Sequence, residues 1–162
     1  MFCRPAHVFR SALAALLLFV AAAGAATAAE FATEPLSIRA ADGSVKQFTV
    51  ELAVTSEQRA QGLMFREDMA ADRGMLFDFG GSRRVAMWMK NTYLPLDMVF
   101  IRADGTIARV AADRLPLSEN IIDSGEPVHF VLELNGGAAA RLAIAAGGKV
   151  ESATIAAAAT KP

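Results

Sequence analysis

The sequence predicts a mainly β protein, a single antiparallel β-sandwich or small barrel-like domain with one or two short helices. Apolar and polar residues alternate over 45–54 and again over 128–134, which is the pattern of half-buried strands. The dipeptide Asp104–Gly105, placed between two apolar runs, is a strong hairpin signal. The chain shows no repeated strand–helix alternation, so a parallel α/β sheet is not expected.

Local patterns define each predicted element. A helix is predicted over 56–65, because Thr55 and Gln58 match a capping box. A second short helix is predicted over 138–145, where Gly147 provides a C-cap. The predicted strands are bounded by turn residues and are, in chain order, 35–38, 45–54, 75–79, 83–89, 96–101, 106–112, 128–134 and 149–152.

We predict that residues 1–29 are a signal peptide. Two arginines precede an unbroken apolar run over 13–23, which is too short to span a bilayer comfortably, and small residues follow it. We place cleavage after Ala28 or Ala29, which predicts a periplasmic or secreted protein with no transmembrane segment in the mature chain. An uncleaved anchor is the alternative. A lipoprotein is disfavoured because Cys3 precedes the apolar run.

The charge balance does not favour nucleic-acid binding. The chain has 16 Lys and Arg against 17 Asp and Glu, and removal of Arg4 and Arg10 with the leader leaves 14 basic residues and a net charge of −3. Nucleic-acid-binding domains normally carry a basic face, so no nucleic-acid partner is expected. Cys3 and His7 leave as well, which excludes thiol catalysis and Cys/His zinc sites. We predict no metal and no cofactor.

The mature chain is the size of one domain. About 130 residues are enough to bury a single core without disulfides. We predict that residues 30–152 form this β-rich domain. Residues 153–162 are rich in alanine and end in Thr-Lys-Pro, so we predict a flexible C-terminal tail. Oligomeric state does not follow from these patterns.

Polar residues interrupt a core-like stretch in the segment MWMKNTYLPLDMVF, residues 87–100. Lys90 ends one predicted strand, Asn91 begins the connection that follows, Asp97 begins the next strand, and Arg66 follows the first helix. We therefore expect all four to meet. We call them the polar cluster. One interpretation is a ligand site, in which cations and an amide bind a small anionic or saccharide ligand and Asp97 accepts a hydrogen bond or acts as a base. The other is an internal ion pair that fixes the connecting loop.

A serine-protease-like triad is a weaker interpretation of the same residues. It would combine Ser118 or Ser124 with His129 and Asp97, yet neither serine lies in a nucleophile-elbow motif. His129 is the one histidine left after cleavage, and a lone histidine makes a poor metal site. We predict that it is a surface or rim residue on the polar face of its strand.

Methionines offer a soft-metal hypothesis. Met87 and Met89 share one face of a predicted strand, and thioethers suit Cu(I) in an exported protein. Trp88 points to the opposite face, which weakens a tryptophan-capped copper site. Methionine also fills irregular gaps in apolar cores, and these positions have the pattern of buried ones, so we favour core filling.

Several longer motifs together resemble a known family. They are GLMFR at 62–66, GMLFDF at 74–79, MWMKNT with PLDMVF within 87–100, and VLELNGGAAARLAIAAGGKV at 131–150. This combination resembles a widespread prokaryotic family of small, often exported proteins of unknown function. The resemblance covers roughly residues 45–150. It implies a compact β-rich, sandwich-like fold and implies no activity.

The leading functional hypothesis is a non-catalytic ligand-binding or accessory module of the cell envelope, with the polar cluster as its site. An enzyme is disfavoured because no complete catalytic constellation accompanies the cluster. The first alternative is a hydrolase or isomerase of envelope saccharides with Asp97 as general base and Asp113 or Glu133 as a second carboxylate, although spacing selects neither pair. The second alternative is a Cu(I) binder through Met87 and Met89.

Overall fold

The computed structural model describes residues 30–160. The predicted signal peptide and its cleavage site therefore lie outside the described residues, as do 161–162. The described chain is built from short strands with three short helices. In chain order the elements are β1 (Thr33–Arg39), β2 (Val45–Ala53), α1 (Ser56–Gln61), β3 (Arg73–Arg83), β4 (Ala86–Met87), β5 (Leu96–Ile101), β6 (Ile107–Arg114), β7 (Ile122–Asp123), β8 (Val128–Asn135), α2 (Ala138–Arg141), β9 (Lys149–Ser152) and α3 (Ala153–Ala159).

Seven strands form one sheet in the order β6-β5-β8-β3-β2-β1-β9, and β4 pairs with β7 in a small second sheet. The mainly β fold class is confirmed. Every pair in the large sheet is antiparallel except β2 and β3, which are parallel. The prediction of purely antiparallel pairing is therefore wrong at this pair. The connection over 54–72, which contains α1, is long enough to carry the chain back so that both strands run the same way.

The large sheet curls until its two edge strands approach each other at one end. Thr106, just before β6, is paired with Lys149 at the start of β9. The N–H of Ile107 donates to the carbonyl of Gly148 at 2.9 Å, and the carbonyl of Ile107 accepts from the N–H of Gly147 at 2.9 Å. The architecture is thus one curled sheet, a half-barrel with a small added sheet, rather than two sheets packed face to face.

An apolar core covers each face of the large sheet. The helix-side core includes buried residues of α2 and α3, whereas the loop-side core includes Leu63, Val85 and Met89 from connecting segments. Strands β5 and β8 lie between the two cores and are buried on both faces. Because side chains alternate along a strand, neighbouring residues of β5 and β8 enter different cores.

This alternation separates Asp97 and Glu133, which the sequence offered as one of two possible catalytic carboxylate pairs. Asp97 lies between Leu96 and Met98, which both belong to the loop-side core, so Asp97 faces the helix side. Glu133 lies between Leu132 and Leu134 of the helix-side core, so it faces the loop side. The two carboxyl groups are therefore on opposite faces of the sheet and do not form a pair.

The predicted flexible tail is ordered over 153–159, where it forms α3. The hydroxyl of Ser152 caps this helix by accepting from the N–H of Ile155 at 3.3 Å. Ile155 and Ala158 are buried in the helix-side core. The alanine-rich composition hid this helix, because only one large apolar side chain marks its packed face.

Ile155→Ala is expected to destabilise the protein by about 2–5 kcal/mol, the usual cost of removing a buried isoleucine side chain. Urea unfolding followed by circular dichroism measures the change. Ala156→Ser, at an exposed position of the same helix, is the control and should unfold like the wild type. Equal midpoints for Ile155→Ala and the wild type would mean that α3 does not pack on the sheet.

Candidate functional site

Asp97 is sealed inside the fold, where its carboxyl group binds backbone. The residue is 0% exposed. Its Oδ1 accepts from the N–H of Asp113 at 2.8 Å and of Gly137 at 3.1 Å, and its Oδ2 accepts from the N–H of Ala139 at 2.7 Å. The group thus ties β6 and the start of α2 to β5. These bonds give Asp97 an architectural role and leave it no exposed oxygen for a ligand or substrate.

The other members of the polar cluster lie on the other side of the sheet, close to the chain that follows α1. Arg66 makes a bidentate ion pair with Glu51, with N···O distances of 2.5 and 2.6 Å. The carbonyl of Asn91 accepts from the N–H of Phe65 at 2.8 Å, and Lys90 lines a nearby pocket. Within residues 30–160, no hydrogen bond or ion pair joins any of the three to the sealed carboxyl group. The expected meeting of all four residues does not occur, and a ligand-binding role for the other three stays a prediction.

The pocket that Lys90 lines has a volume of about 310 Å³ and opens on the loop side, between α1, β3 and β4. This volume is near the lower limit for small-molecule sites. Six residues contribute polar side chains to the lining: Ser56, Arg59, Gln61, Lys90, Thr92 and Glu133. The apolar wall is formed by Leu63, Met64, Phe77, Phe79, Met87 and Trp88.

Glu133 is the unusual group of this pocket. It is 4% exposed, and its neighbours on the adjacent strands, Met75 and Met98, are both apolar. Burial raises the pKa of its carboxyl group from 4.5 to about 8, because the charged form loses its hydration. No group within 30–160 is placed to hydrogen-bond or ion-pair with this carboxyl group. Since the described chain has no fully buried side-chain oxygen without a partner, the carboxyl group must open onto the pocket.

The alternation over 128–134 predicts that Glu133 lies on the polar face of a half-buried strand. That alternation is correct, but the loop-side core covers the face, so the strand is buried on both sides. The sequence signal for a buried Glu133 was its place in the otherwise apolar run VLEL, residues 131–134. This signal was not decisive, because the same pattern also fits an edge strand with one solvent-exposed face.

His129 and Ser124 do not form a triad. His129 is mostly buried rather than at the surface, which corrects the prediction, and its Nε2 lies 3.1 Å from Oδ1 of Asp78 instead of near the aspartate of the predicted triad. The hydroxyl of Ser124 accepts from the N–H of Val85 at 3.0 Å and donates to the carbonyl of Glu126 at 2.7 Å. These contacts hold the β7–β8 connection in place and leave the serine hydroxyl committed to backbone.

The two methionines proposed as metal ligands occupy different environments. Met87 is half-buried and lines the pocket, whereas Met89 is fully buried in the loop-side core. Strand β4 ends at Met87, so the strand alternation that predicted Met87 and Met89 on one face does not extend to Met89. Met64 lines the pocket instead, and its sulfur accepts from Nδ2 of Asn91 at 3.9 Å. The core-filling interpretation therefore describes Met89 correctly, and the predicted methionine pair is not formed.

Comparison with known families identifies the chain. The model of the family DUF192, described as "Uncharacterized ACR", matches residues 37–152. The chain belongs to the DUF192 family. The matched range contains both strands that carry Asp97 and Glu133, and it contains every residue of the pocket lining. A comparison with curated proteins finds no match.

Two solved structures resemble this DUF192 protein closely. One is a candidate transcription regulator from Sinorhizobium meliloti 1021, 54% identical, with a TM-score of 0.76, covering 78% of this chain and 98% of that one. The other is a protein of unknown function from Novosphingobium aromaticivorans DSM 12444, 39% identical, with a TM-score of 0.70, covering 72% of this chain and 83% of that one. Both support the half-barrel fold. Within the described residues, no helix has the length and apolar character needed to cross a membrane.

Proposed function

We propose that this DUF192 protein is a non-catalytic binding or accessory module of the cell envelope, which holds a small molecule in the pocket that contains Glu133. The observation that carries the proposal is the Glu133 carboxyl group, which is buried, has no hydrogen-bond or ion-pair partner within residues 30–160 and opens onto a pocket with an apolar wall. Apolar walls with a few convergent polar groups and a perturbed pKa are typical of ligand sites.

The energetics of Glu133 favour a ligand over a purely structural role. A buried polar group without a hydrogen bond costs about 1–3 kcal/mol, and no partner among the described residues offsets this cost for Glu133. A ligand that hydrogen-bonds to the carboxyl group recovers part of the lost free energy. Asp97 differs from Glu133, because three backbone N–H groups hydrogen-bond to its two carboxylate oxygens and explain its burial without a ligand.

The envelope location rests on the leader-like pattern of residues 1–29, namely two arginines, an apolar run and small residues before Glu30. Export would place the pocket in the periplasm or outside the cell. The ligand would then be a small anionic or saccharide molecule of that compartment.

The geometry supports binding better than hydrolysis or metal binding. A raised pKa suits a general acid, but a glycosidase needs two carboxyl groups, and the pocket lining contains only that of Glu133. Asp97 is on the other face of the sheet and fully buried. The soft-metal alternative loses its pair, because Met89 is buried in the loop-side core.

A fragment screen tests the proposal directly. Trp88 is the one tryptophan of the chain and lines the pocket, so its fluorescence reports on occupancy. We expect some members of a library of small anions, saccharides and neutral amphiphiles to change this fluorescence. They should also shift the backbone amide resonances of pocket residues such as Leu63 and Thr92.

Two variants distinguish pocket binding from surface effects. Glu133→Ala should lower the affinity for the binding fragments about five-fold or more, because one hydrogen bond to the ligand is lost. Glu151→Gln, at an exposed position of β9, should bind them like the wild type. If no library member perturbs the pocket resonances, or if hits bind both variants equally, the pocket is not a ligand site.

A further inference from the structure

Cations surround the mouth of the pocket and lie over its aromatic walls. The Arg59 guanidinium lies 5.7 Å from the centre of the Phe79 ring, and that of Arg83 lies 5.3 Å from the same centre. The Nζ of Lys90 lies 5.2 Å from the centre of the Trp88 ring. Both rings are part of the pocket wall, so positive charge borders the opening.

Acidic side chains do not balance this charge closely. Arg59 donates to the carbonyl groups of Val54 at 2.6 Å and Asp78 at 2.8 Å, and no carboxyl group in the described chain lies within ion-pair distance of it. Glu57 interacts with Arg59 only electrostatically and is fully exposed, so solvent screens this interaction. Lys90 approaches Glu119 only to 3.8 Å, and both side chains are well exposed, so solvent screens this pair. The positive mouth is local, because the whole chain has a net charge of −1.

The interior of the pocket has the opposite character. The apolar part of its wall consists of Leu63, Met64, Phe77 and Met87 together with the two aromatic rings, and methionine side chains adapt to ligands of different shape. Glu133 is the one acidic group of the lining, and its carboxyl group is uncharged below its raised pKa of about 8. An apolar body therefore fits the interior, and a negative group fits the mouth.

We propose, building on the binding function above, that the pocket takes an anionic amphiphile, a molecule with an apolar body and one carboxylate, sulfate or phosphate group. The apolar body lies against the methionine and aromatic wall beside Glu133. The anionic group lies at the mouth, within reach of Lys90 and Arg59. A cationic amphiphile is rejected, because its charge meets two cations at the opening.

Three linear probes with eight carbon atoms each separate charge from apolar contact: octanoate, octan-1-ol and octylammonium. Trp88 fluorescence measures each affinity, at about pH 6.5 and low salt, where Glu133 retains its proton. We expect octanoate to bind about ten-fold more tightly than octan-1-ol, and octylammonium to bind most weakly. Added salt should lower the affinity for octanoate and leave the affinity for octan-1-ol unchanged.

Two matched lysine variants test whether the cations at the pocket mouth cause the preference for an anionic probe. Lys90→Gln should lower the affinity for octanoate about five-fold, as expected for the loss of one exposed charge pair. Its affinity for octan-1-ol should stay within about two-fold of that of the wild type. Lys46→Gln makes the same change of charge on β2, outside the pocket lining, and should have no effect. Equal or tighter binding of octan-1-ol or octylammonium, or an equal effect of both lysine variants, overturns the anionic preference.

The experiment also separates this inference from the binding function it rests on. If a library fragment occupies the pocket but octanoate shows no advantage, only the anionic class is wrong. If neither the library nor any alkyl probe perturbs the pocket, both proposals fail. Co-sedimentation with phosphatidylglycerol vesicles distinguishes the source: binding identifies a membrane lipid, whereas octanoate binding without vesicle binding identifies a free molecule, and either result supports the shared chemistry.

Discussion

Glu133→Gln is expected to abolish most of a decline in stability that the wild type shows as the pH rises from about 4.5 to 8. The folded pKa of Glu133 is raised to about 8 from the ordinary 4.5, because the side chain is buried among apolar groups. Between these values the folded protein holds a proton that the unfolded chain has released. Stability therefore falls with pH across this window, at about 1.4 kcal/mol per unit at most, and levels off above it.

The accumulated effect is on the order of 5 kcal/mol across the window, which is large for a domain of this size. Glutamine keeps the shape and polarity of the side chain without a proton to lose. The variant should thus match the wild type near pH 5 and exceed it in stability by several kcal/mol near pH 9.

Urea unfolding in steps between about pH 5 and 9 measures this difference, and comparison of the two proteins cancels groups that titrate in both. Glu151→Gln is the control, since an exposed carboxyl group should not change the pH profile. Parallel profiles for Glu133→Gln and the wild type would show that Glu133 ionises normally in the folded protein. The pocket would then be wetter than the structure indicates.

Asp97→Asn is expected to destabilise the protein by about 3 kcal/mol or more, enough to lower the melting temperature by roughly 10 °C. The aspartate accepts three backbone N–H groups through both oxygens. An asparagine amide has one oxygen, so its NH₂ group must face at least one N–H donor. That donor loses its partner in a site with no access to solvent.

Thermal unfolding followed by circular dichroism provides the measurement, with Asp68→Asn at an exposed loop position as the control. The ligand-site interpretation of the polar cluster predicts the opposite result, a nearly unchanged melting temperature with weaker ligand binding. A melting temperature within about 2 °C of the wild type would therefore contradict the architectural role of Asp97.

The fold class was predictable because strand alternation and turn residues are local signals. The segment 45–54 and the Asp104–Gly105 turn required no knowledge of distant contacts, and β2, β5 and β6 lie where expected. The parallel pairing of β2 with β3 was not predictable, since a local pattern specifies a strand but not its neighbour. Helix α3 was missed because alanine carries little information about burial.

The candidate site was predictable only in part. Polar residues within 87–100 interrupt a core-like stretch and so indicated a site there, and Lys90 does line the pocket. Asp97 is close to Lys90 in sequence and was expected beside it, yet β5 places Asp97 on the opposite face of the sheet. Glu133 was named only as a possible second carboxylate beside Asp97, because strand alternation alone does not reveal whether a polar face meets water or another layer of the protein.

Sequence alone determined the class of fold, the family motifs and the presence of charged residues inside apolar strands, because composition and periodicity are properties of neighbouring residues. Only the tertiary structure decided which carboxyl group is satisfied and which is left to face a pocket. Hydrogen-bond partners and burial come from segments that lie far apart in the chain. Asp97 and Glu133 illustrate this: both are acidic residues in buried strands, but only one meets the backbone donors of a helix end.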